Sequence, residues 1–301
     1  MDIEARIKEL KKEKDAVILA HYYVDGRVQE VADYVGDSYY LSKMASEAAN
    51  KVIVFCGVLF MAESAKILSP EKTVLMPDID ADCPMAHMAR LEEIVKIREE
   101  CDDLAVVCYI NSTAEIKANS DVCVTSSNAE KVIRKLPQKN IYFIPDSNLG
   151  AYLSSLLPEK NFILNHGYCY VHNNIVAKEV EDKKHMYPYS KLLAHPECTK
   201  RVLDMADYVG STSGIIEYVA NSKDKSFIIC TEEGILYKLK KDNPDKEFIL
   251  VNNNQVCSDM KKVTIEKVAK CLETMENQIT VDEEVRQKAF VALEKMLELA
   301  K

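Results

Sequence analysis

Three cysteines in this 301-residue chain keep a common interval. Cys83, Cys169 and Cys257 lie 86 and 88 residues apart, and each follows an apolar run introduced by a lysine: Lys72-Thr-Val-Leu-Met, Lys160-Asn-Phe-Ile-Leu and Lys246-Glu-Phe-Ile-Leu. A free cysteine is most often a small buried hydrophobe, but three at one repeated position can converge as thiolate ligands that leave a coordination position open. Zinc sites usually draw a close Cys-x-x-Cys pair from one turn, and the chain has none. An iron–sulfur cubane spreads its irons apart and suits thiolates arriving from separate loops. With three protein ligands, its fourth iron is free to bind substrate as a Lewis acid. The remaining cysteines read as packing: Cys56, Cys108, Cys123 and Cys230 fall in apolar strands, Cys101 and Cys271 in helices, and Cys198 after His-Pro-Glu.

A second set of residues shares the interval. Ala32-Asp-Tyr-Val-Gly-Asp-Ser38 is echoed by Ala206-Asp-Tyr-Val-Gly-Ser-Thr212 and, more faintly, by Ser120-Asp-Val-Cys-Val-Thr-Ser126. His21, Tyr109 and His195 each stand 12 residues before the aspartate of an echo, and Ser38, Ser126 and Thr212 each stand 17 residues after that strand-end residue. His21, Tyr23, His195 and Glu197 supply acid–base groups at two of these positions. Ser38, Ser126 and Thr212 precede helical patterns, so they read first as N-caps. Helix N-termini also attract anions; three aimed at one axis would hold carboxylates and a phosphate without an arginine cluster. His172, three residues after Cys169, is placed to support the shell around a metal group. His87, His166 and His185 read as surface or loop.

These groups need a scaffold that brings strand ends together. Short β-branched runs alternate with helical patterns, the signature of parallel β/α units; eleven strands are expected, from Ala16–Ala20 to Phe248–Val251. Parallel strands deliver ligand groups at their C-terminal ends, where the aligned residues sit. The repeats predict an α/β fold of three similar units with short parallel sheets around a pseudo-threefold axis. The expected boundaries are 1–87, 88–173 and 174–263, with 264–301 closing the ring. Thr264–Met275 falls in register with Ile3–Glu13, and Asp282–Leu299 reads as an extra amphipathic helix.

Composition removes other classes. The net charge of −9 and the lack of a basic, aromatic-interleaved segment argue against nucleic acid. Eight glycines form no dinucleotide or P-loop pattern. The longest apolar stretch, residues 52–62, is too short to span a bilayer, and the charged N-terminal helix lacks a signal peptide's apolar region. The expected location is the cytoplasm, where ten cysteines stay reduced.

The chain resembles the quinolinate synthase family of de novo NAD biosynthesis along nearly its whole length. The matching stretches include Ala20-His-Tyr-Tyr23, Phe60-Met-Ala-Glu63, Cys83-Pro-Met-Ala86, Tyr109-Ile-Asn-Ser-Thr113, Pro145-Asp-Ser-Asn-Leu-Gly150, Cys169-Tyr-Val-His172, His195-Pro-Glu-Cys198, Gly210-Ser-Thr212 and Cys257-Ser-Asp-Met-Lys261. The resemblance implies three α/β/α domains and a transferase that condenses iminoaspartate with dihydroxyacetone phosphate to quinolinate, losing phosphate and two waters. It implies that Cys83, Cys169 and Cys257 ligate a 4Fe–4S cluster and that Ser38 and Ser126 hold phosphate. Tyr109, Asn111, His195, Ser211 and Thr212 would position carboxylate and polar groups, while His21, Tyr23 and Glu197 handle proton transfers. An L-aspartate oxidase or dehydrogenase is the implied functional partner. Two other classes stay open from the residues alone. One is an iron–sulfur redox or sensor protein, against which the polar strand ends argue. The other is a cluster-free sugar-phosphate binder with core cysteines.

Overall fold

The computed structural model describes residues 2–301. Among these, twelve strands form three four-stranded parallel sheets. The first sheet holds β1 (Ala16–His21), β2 (Tyr34–Gly36), β3 (Val52–Cys56) and β4 (Thr73–Leu75); the second holds β5 (Leu104–Tyr109), β6 (Val122–Val124), β7 (Asn140–Ile144) and β8 (Asn161–Leu164). The third holds β9 (Lys191–Ala194), β10 (Tyr208–Val209), β11 (Ser226–Cys230) and β12 (Glu247–Leu250). Each sheet has the same order, β2-β1-β3-β4, β6-β5-β7-β8 and β10-β9-β11-β12. The threefold repeat in the sequence is therefore a threefold repeat of topology. No helix among the described residues is long and apolar enough to cross a membrane.

The central strands read as unbroken apolar runs because helices cover both faces of each sheet. In the third sheet the alternation is visible: Leu192, Ala194, Ile228 and Cys230 face one core, and Leu193, Phe227 and Ile229 face the other. The sequence reading missed β2. Tyr34 is exposed and the strand ends at Gly36, so no buried run marks it, although its pairing with β1 (Leu19 with Tyr34, His21 with Gly36) is that of β6 with β5.

The repeated aspartates and lysines hold this scaffold. Asp33, Asp121 and Asp207 accept the backbone N–H of Ile18, Val106 and Leu192 at 2.8, 2.7 and 2.8 Å, and return their own N–H to the same residues' carbonyls. Each aspartate clasps the loop before one strand to the strand beside it, and each carries a cation: Lys11, Arg98 or Lys191. Lys160 donates to the carbonyls of Leu136 and Gln138, Lys72 to those of Ala45 and Ala48, and Lys246 to those of Val219 and Ser222. A lysine thus closes the C-terminal end of the equivalent helix in every unit, where orphan carbonyls and the negative end of the dipole favour a cation.

The C-terminal segment fastens the first two units. The helix Ile265–Thr274, capped by Thr264, packs against the helix Ile3–Glu13, and Arg6 bonds Glu273 at 2.8 Å. The last helix, Glu283–Leu299, is capped by Asp282. It packs against the helices Leu59–Leu68 and Ala114–Ala118 and against β6, burying Ala289, Ala292, Leu293 and Met296.

Candidate active site

His21 is the last residue of β1, Tyr109 the last of β5, and His195 the first after β9. The common topology brings these three strand ends to one cavity of about 670 Å³ of empty space, its open mouth included. Twelve of the thirteen residues expected at the site line it: His21, Tyr23, Ser38, Cys83, Tyr109, Asn111, Ser126, Cys169, His195, Glu197, Thr212 and Cys257. Ser211 does not. Its hydroxyl accepts the Gly214 N–H at 3.1 Å and caps the helix Thr212–Asn221.

The caps also differ from the expectation for Ser38, Ser126 and Thr212. Asp37 caps the helix Ser38–Glu47, accepting the Tyr40 N–H at 2.9 Å, so Ser38 and Thr212 are the first helical residues rather than caps. Ser126 lies two residues before Asn128, which precedes the helix Ala129–Lys135. The shift leaves all three hydroxyl residues on the cavity wall, with Asp37 and Ser211 capping two of the helices while Asn128 Oδ1 turns back to accept the Thr125 N–H.

Each cysteine of the triad opens a short helical turn after the fourth strand of its sheet: Pro84–His87, Tyr170–Asn173 and, three residues on, Met260–Lys262. A carboxylate holds each loop by accepting the cysteine's backbone N–H: Asp82 for Cys83 (2.7 Å), Asp146 for Cys169 (3.1 Å) and Glu232 for Cys257 (3.0 Å). Asp146 and Glu232 are almost fully buried and were not singled out from the sequence. They lie 86 residues apart, so the interval that found the cysteines also marks them. Burial raises all three thiols above the ordinary cysteine value, with Cys257 adding to the rise at Cys83 and Cys83 to that at Cys169. Among the described residues, the one set of three possible ligand atoms lying within 4.8 Å of one another is Cys169, His172 and Glu197. The cysteine triad is wider than a single-ion site, and its donors are all sulfur. That matches a multi-metal cluster better than one zinc ion.

The acid–base groups have defined partners. His21 Nδ1 accepts the Tyr23 N–H at 3.2 Å, and His195 Nδ1 accepts the Glu197 N–H at 3.4 Å. The same turn therefore fixes both rings: with Nδ1 an acceptor, the neutral ring carries its proton on Nε2. Burial pushes both imidazoles down to about 3, so both are neutral at physiological pH. His195 Nε2 reaches the Ser126 hydroxyl at 3.2 Å. Burial alone would raise Glu197, but His172 and His195 beside it and hydrogen bonds from His172 and Tyr109 outweigh that and hold its carboxylate below the ordinary value. Burial raises the phenols of Tyr23 and Tyr109 well above theirs. Asn111 Oδ1 is buried in the wall with no hydrogen-bond partner, an unmet acceptor of the kind a substrate donor satisfies.

Tyr23, Asn111 and Glu197 also stand at equivalent positions, two residues past His21, Tyr109 and His195 respectively. No lysine or arginine lines the cavity among the described residues, so anions there must meet hydroxyls, imidazoles and backbone N–H groups. Outside it, Cys198 is buried and its thiol donates to the Cys230 carbonyl, while His87 pairs with Asp82 and His185 with the Glu181 carbonyl.

Comparison with known proteins adds the following. A family described as Quinolinate synthetase A protein matches residues 5–298. A quinolinate synthase of Clostridioides difficile (strain 630) is 53% identical over 299 residues, covering 99% of this chain and 98% of that protein. One of Fusobacterium nucleatum is 55% identical over 295 residues, 98% of each chain. One of Caldicellulosiruptor bescii is 50% identical over 302 residues, 99% of this chain and all of that protein.

Proposed function

Since the chain belongs to the quinolinate synthetase A family, we propose that its cavity condenses iminoaspartate with dihydroxyacetone phosphate to quinolinate, releasing phosphate and two waters. The observation that carries the reading is the shared wall: three repeat-equivalent thiols, the His21 and His195 imidazoles, the Glu197 carboxylate and the Tyr23 and Tyr109 phenols face one cavity. The reaction balances without oxidant or reductant, so an electron carrier is not required.

Cys83, Cys169 and Cys257 would hold a 4Fe–4S cluster, with Asp82, Asp146 and Glu232 fixing the backbone of the three loops. When bound, the cluster supplies a Lewis-acidic iron with one free coordination position. His21 and His195, with Nδ1 occupied, present Nε2–H as hydrogen-bond donors; they polarise carbonyl or carboxylate oxygens rather than act as bases. Ser38 and Ser126 offer hydroxyls to the phosphate, with the N-terminal end of the helix Ser38–Glu47 behind Ser38. Thr212 and Asn111 orient the remaining polar groups. Glu197 is the ionised base of the site and takes a proton from substrate carbon or nitrogen. Tyr23 and Tyr109 keep their protons and so can donate to a departing oxygen. Dehydration needs both roles, removal from carbon and delivery to oxygen, on the same substrate.

The substrate imine hydrolyses in water. A reaction that oxidises L-aspartate, by an oxidase or a dehydrogenase, must supply it close at hand.

The test is an anaerobic assay for quinolinate from the two substrates, with iron and sulfide determined on the same samples. The expected protein carries about four irons and four sulfides per chain. Cys83→Ser, Cys169→Ser and Cys257→Ser lose cluster and activity together, whereas Cys56→Ala keeps both. Any of the three serine variants that keeps full iron and full activity refutes the ligand set, and a cluster-loaded wild type that makes no quinolinate refutes the reaction.

A further inference from the structure

Thr231 follows β11, is fully buried and does not line the cavity. Its hydroxyl nevertheless meets two groups that do: Tyr23 OH at 2.8 Å and His172 Nε2 at 2.9 Å. The other ring nitrogen, His172 Nδ1, lies 2.7 Å from Glu197 Oε2 and 3.2 Å from Cys169 Sγ. The ring face stacks on His195 with centroids 4.6 Å apart. Tyr23 OH also meets the Thr212 hydroxyl at 2.8 Å. One unbroken line of hydrogen bonds therefore runs Thr212, Tyr23, Thr231, His172, Glu197, joining residues from all three repeats.

We propose that Thr231 is a positioning residue for the reaction: it ties the Tyr23 phenol to the His172–Glu197 pair so that acid and base hold one fixed geometry across the joint between the units. The inference rests on the function proposed above. Two features separate this role from ordinary packing. First, the equivalent positions in the other units are Gly57 and Pro145, so the hydroxyl is no part of the repeated scaffold. Second, Thr231 is the protein hydroxyl that reaches His172 Nε2, and with both residues buried the bond is costly to leave unmade.

Four cluster-loaded proteins test this: wild type, Thr231→Val, Tyr23→Phe and the double variant. Thr231→Val should lower kcat about tenfold, the equivalent of one buried hydrogen bond, with iron content and both KM values close to wild type. Thr231→Ser, which restores the hydroxyl, should recover most of the loss. In the Tyr23→Phe background Thr231→Val should cost little further, because the partner it positions is gone. If the valine variant does not fold, Thr231→Ala against Thr231→Ser isolates the hydroxyl, since both lack the methyl group. An active wild type with Thr231→Val at wild-type kcat overturns the role. So does a loss of equal size in both backgrounds, or a serine variant no better than alanine. A wild type that makes no quinolinate overturns the function, and this role with it, so the two failures are distinguishable.

Discussion

Lowering the pH from 7.5 to 5.5 should destabilise the protein through two buried histidines. His21 and His195 are 5% and 3% exposed, and burial holds both at about 3 in the folded chain against 6.5 in the unfolded chain. A depressed folded value means that the unfolded state binds the proton first. Stability from each ring is full above 6.5 and is lost progressively as the pH falls from there toward 3. Over pH 7.5 to 5.5 the folded rings stay neutral while the unfolded ones pass from mostly neutral to mostly charged. Integrating the linkage relation over that interval gives about 1.4 kcal/mol for each ring, about 2.7 kcal/mol for both. The assay is urea unfolding at the two pH values for wild type, His21→Gln, His195→Gln and the double variant. Each single replacement should remove about 1.4 kcal/mol from the pH-dependent loss, whatever it does to stability at pH 7.5. The comparison between pH values cancels the packing cost of the substitution itself. If His195→Gln and wild type lose the same stability between pH 7.5 and 5.5, the ring is not held neutral. The assignment of Nε2–H as a donor to substrate then fails as well.

Other consequences follow from the scaffold. Lys246→Met keeps the apolar stem beside the Phe227 ring but leaves the Val219 and Ser222 carbonyls without their cation. It should cost about 1–2 kcal/mol in urea unfolding with kcat unchanged; an unchanged midpoint would remove the capping role. Gly234→Ala would place a Cβ 2.6 Å from Tyr23 Cα and 2.8 Å from its carbonyl carbon, both backbone atoms that cannot rotate away. The Tyr23 loop must move, and kcat should fall by about tenfold or more while iron content holds; wild-type kcat would show that the loop yields without cost to the site.

The repeat was legible because it recurs along the chain, and what recurs proves to be scaffold. Asp33, Asp121 and Asp207 carry one hydrogen-bonding task, as do Lys72, Lys160 and Lys246; the interval between copies exposed them before their work was known. The cysteines recur for the same reason, each opening the loop after its sheet's fourth strand. Substrate chemistry requires the opposite, three equivalent positions with different side chains. Two residues past His21, Tyr109 and His195 stand Tyr23, Asn111 and Glu197, and two past the ends of β3, β7 and β11 stand Val58, Asp146 and Glu232. A search for likeness cannot find the first set, because unlikeness is its function: an acid, a neutral amide and a base cannot be the same residue. In the second, Asp146 and Glu232 share one task and Val58 alone departs from it. The line through Thr231 leaves still less trace, since its members are up to 208 residues apart and pair only when three units close on one another. Aligning a repeat and then asking where its copies disagree would have pointed to Asn111, Asp146 and Glu232 from the sequence. The bonds between copies required the fold, because they depend on how the sheets face one another and not on any spacing within one of them.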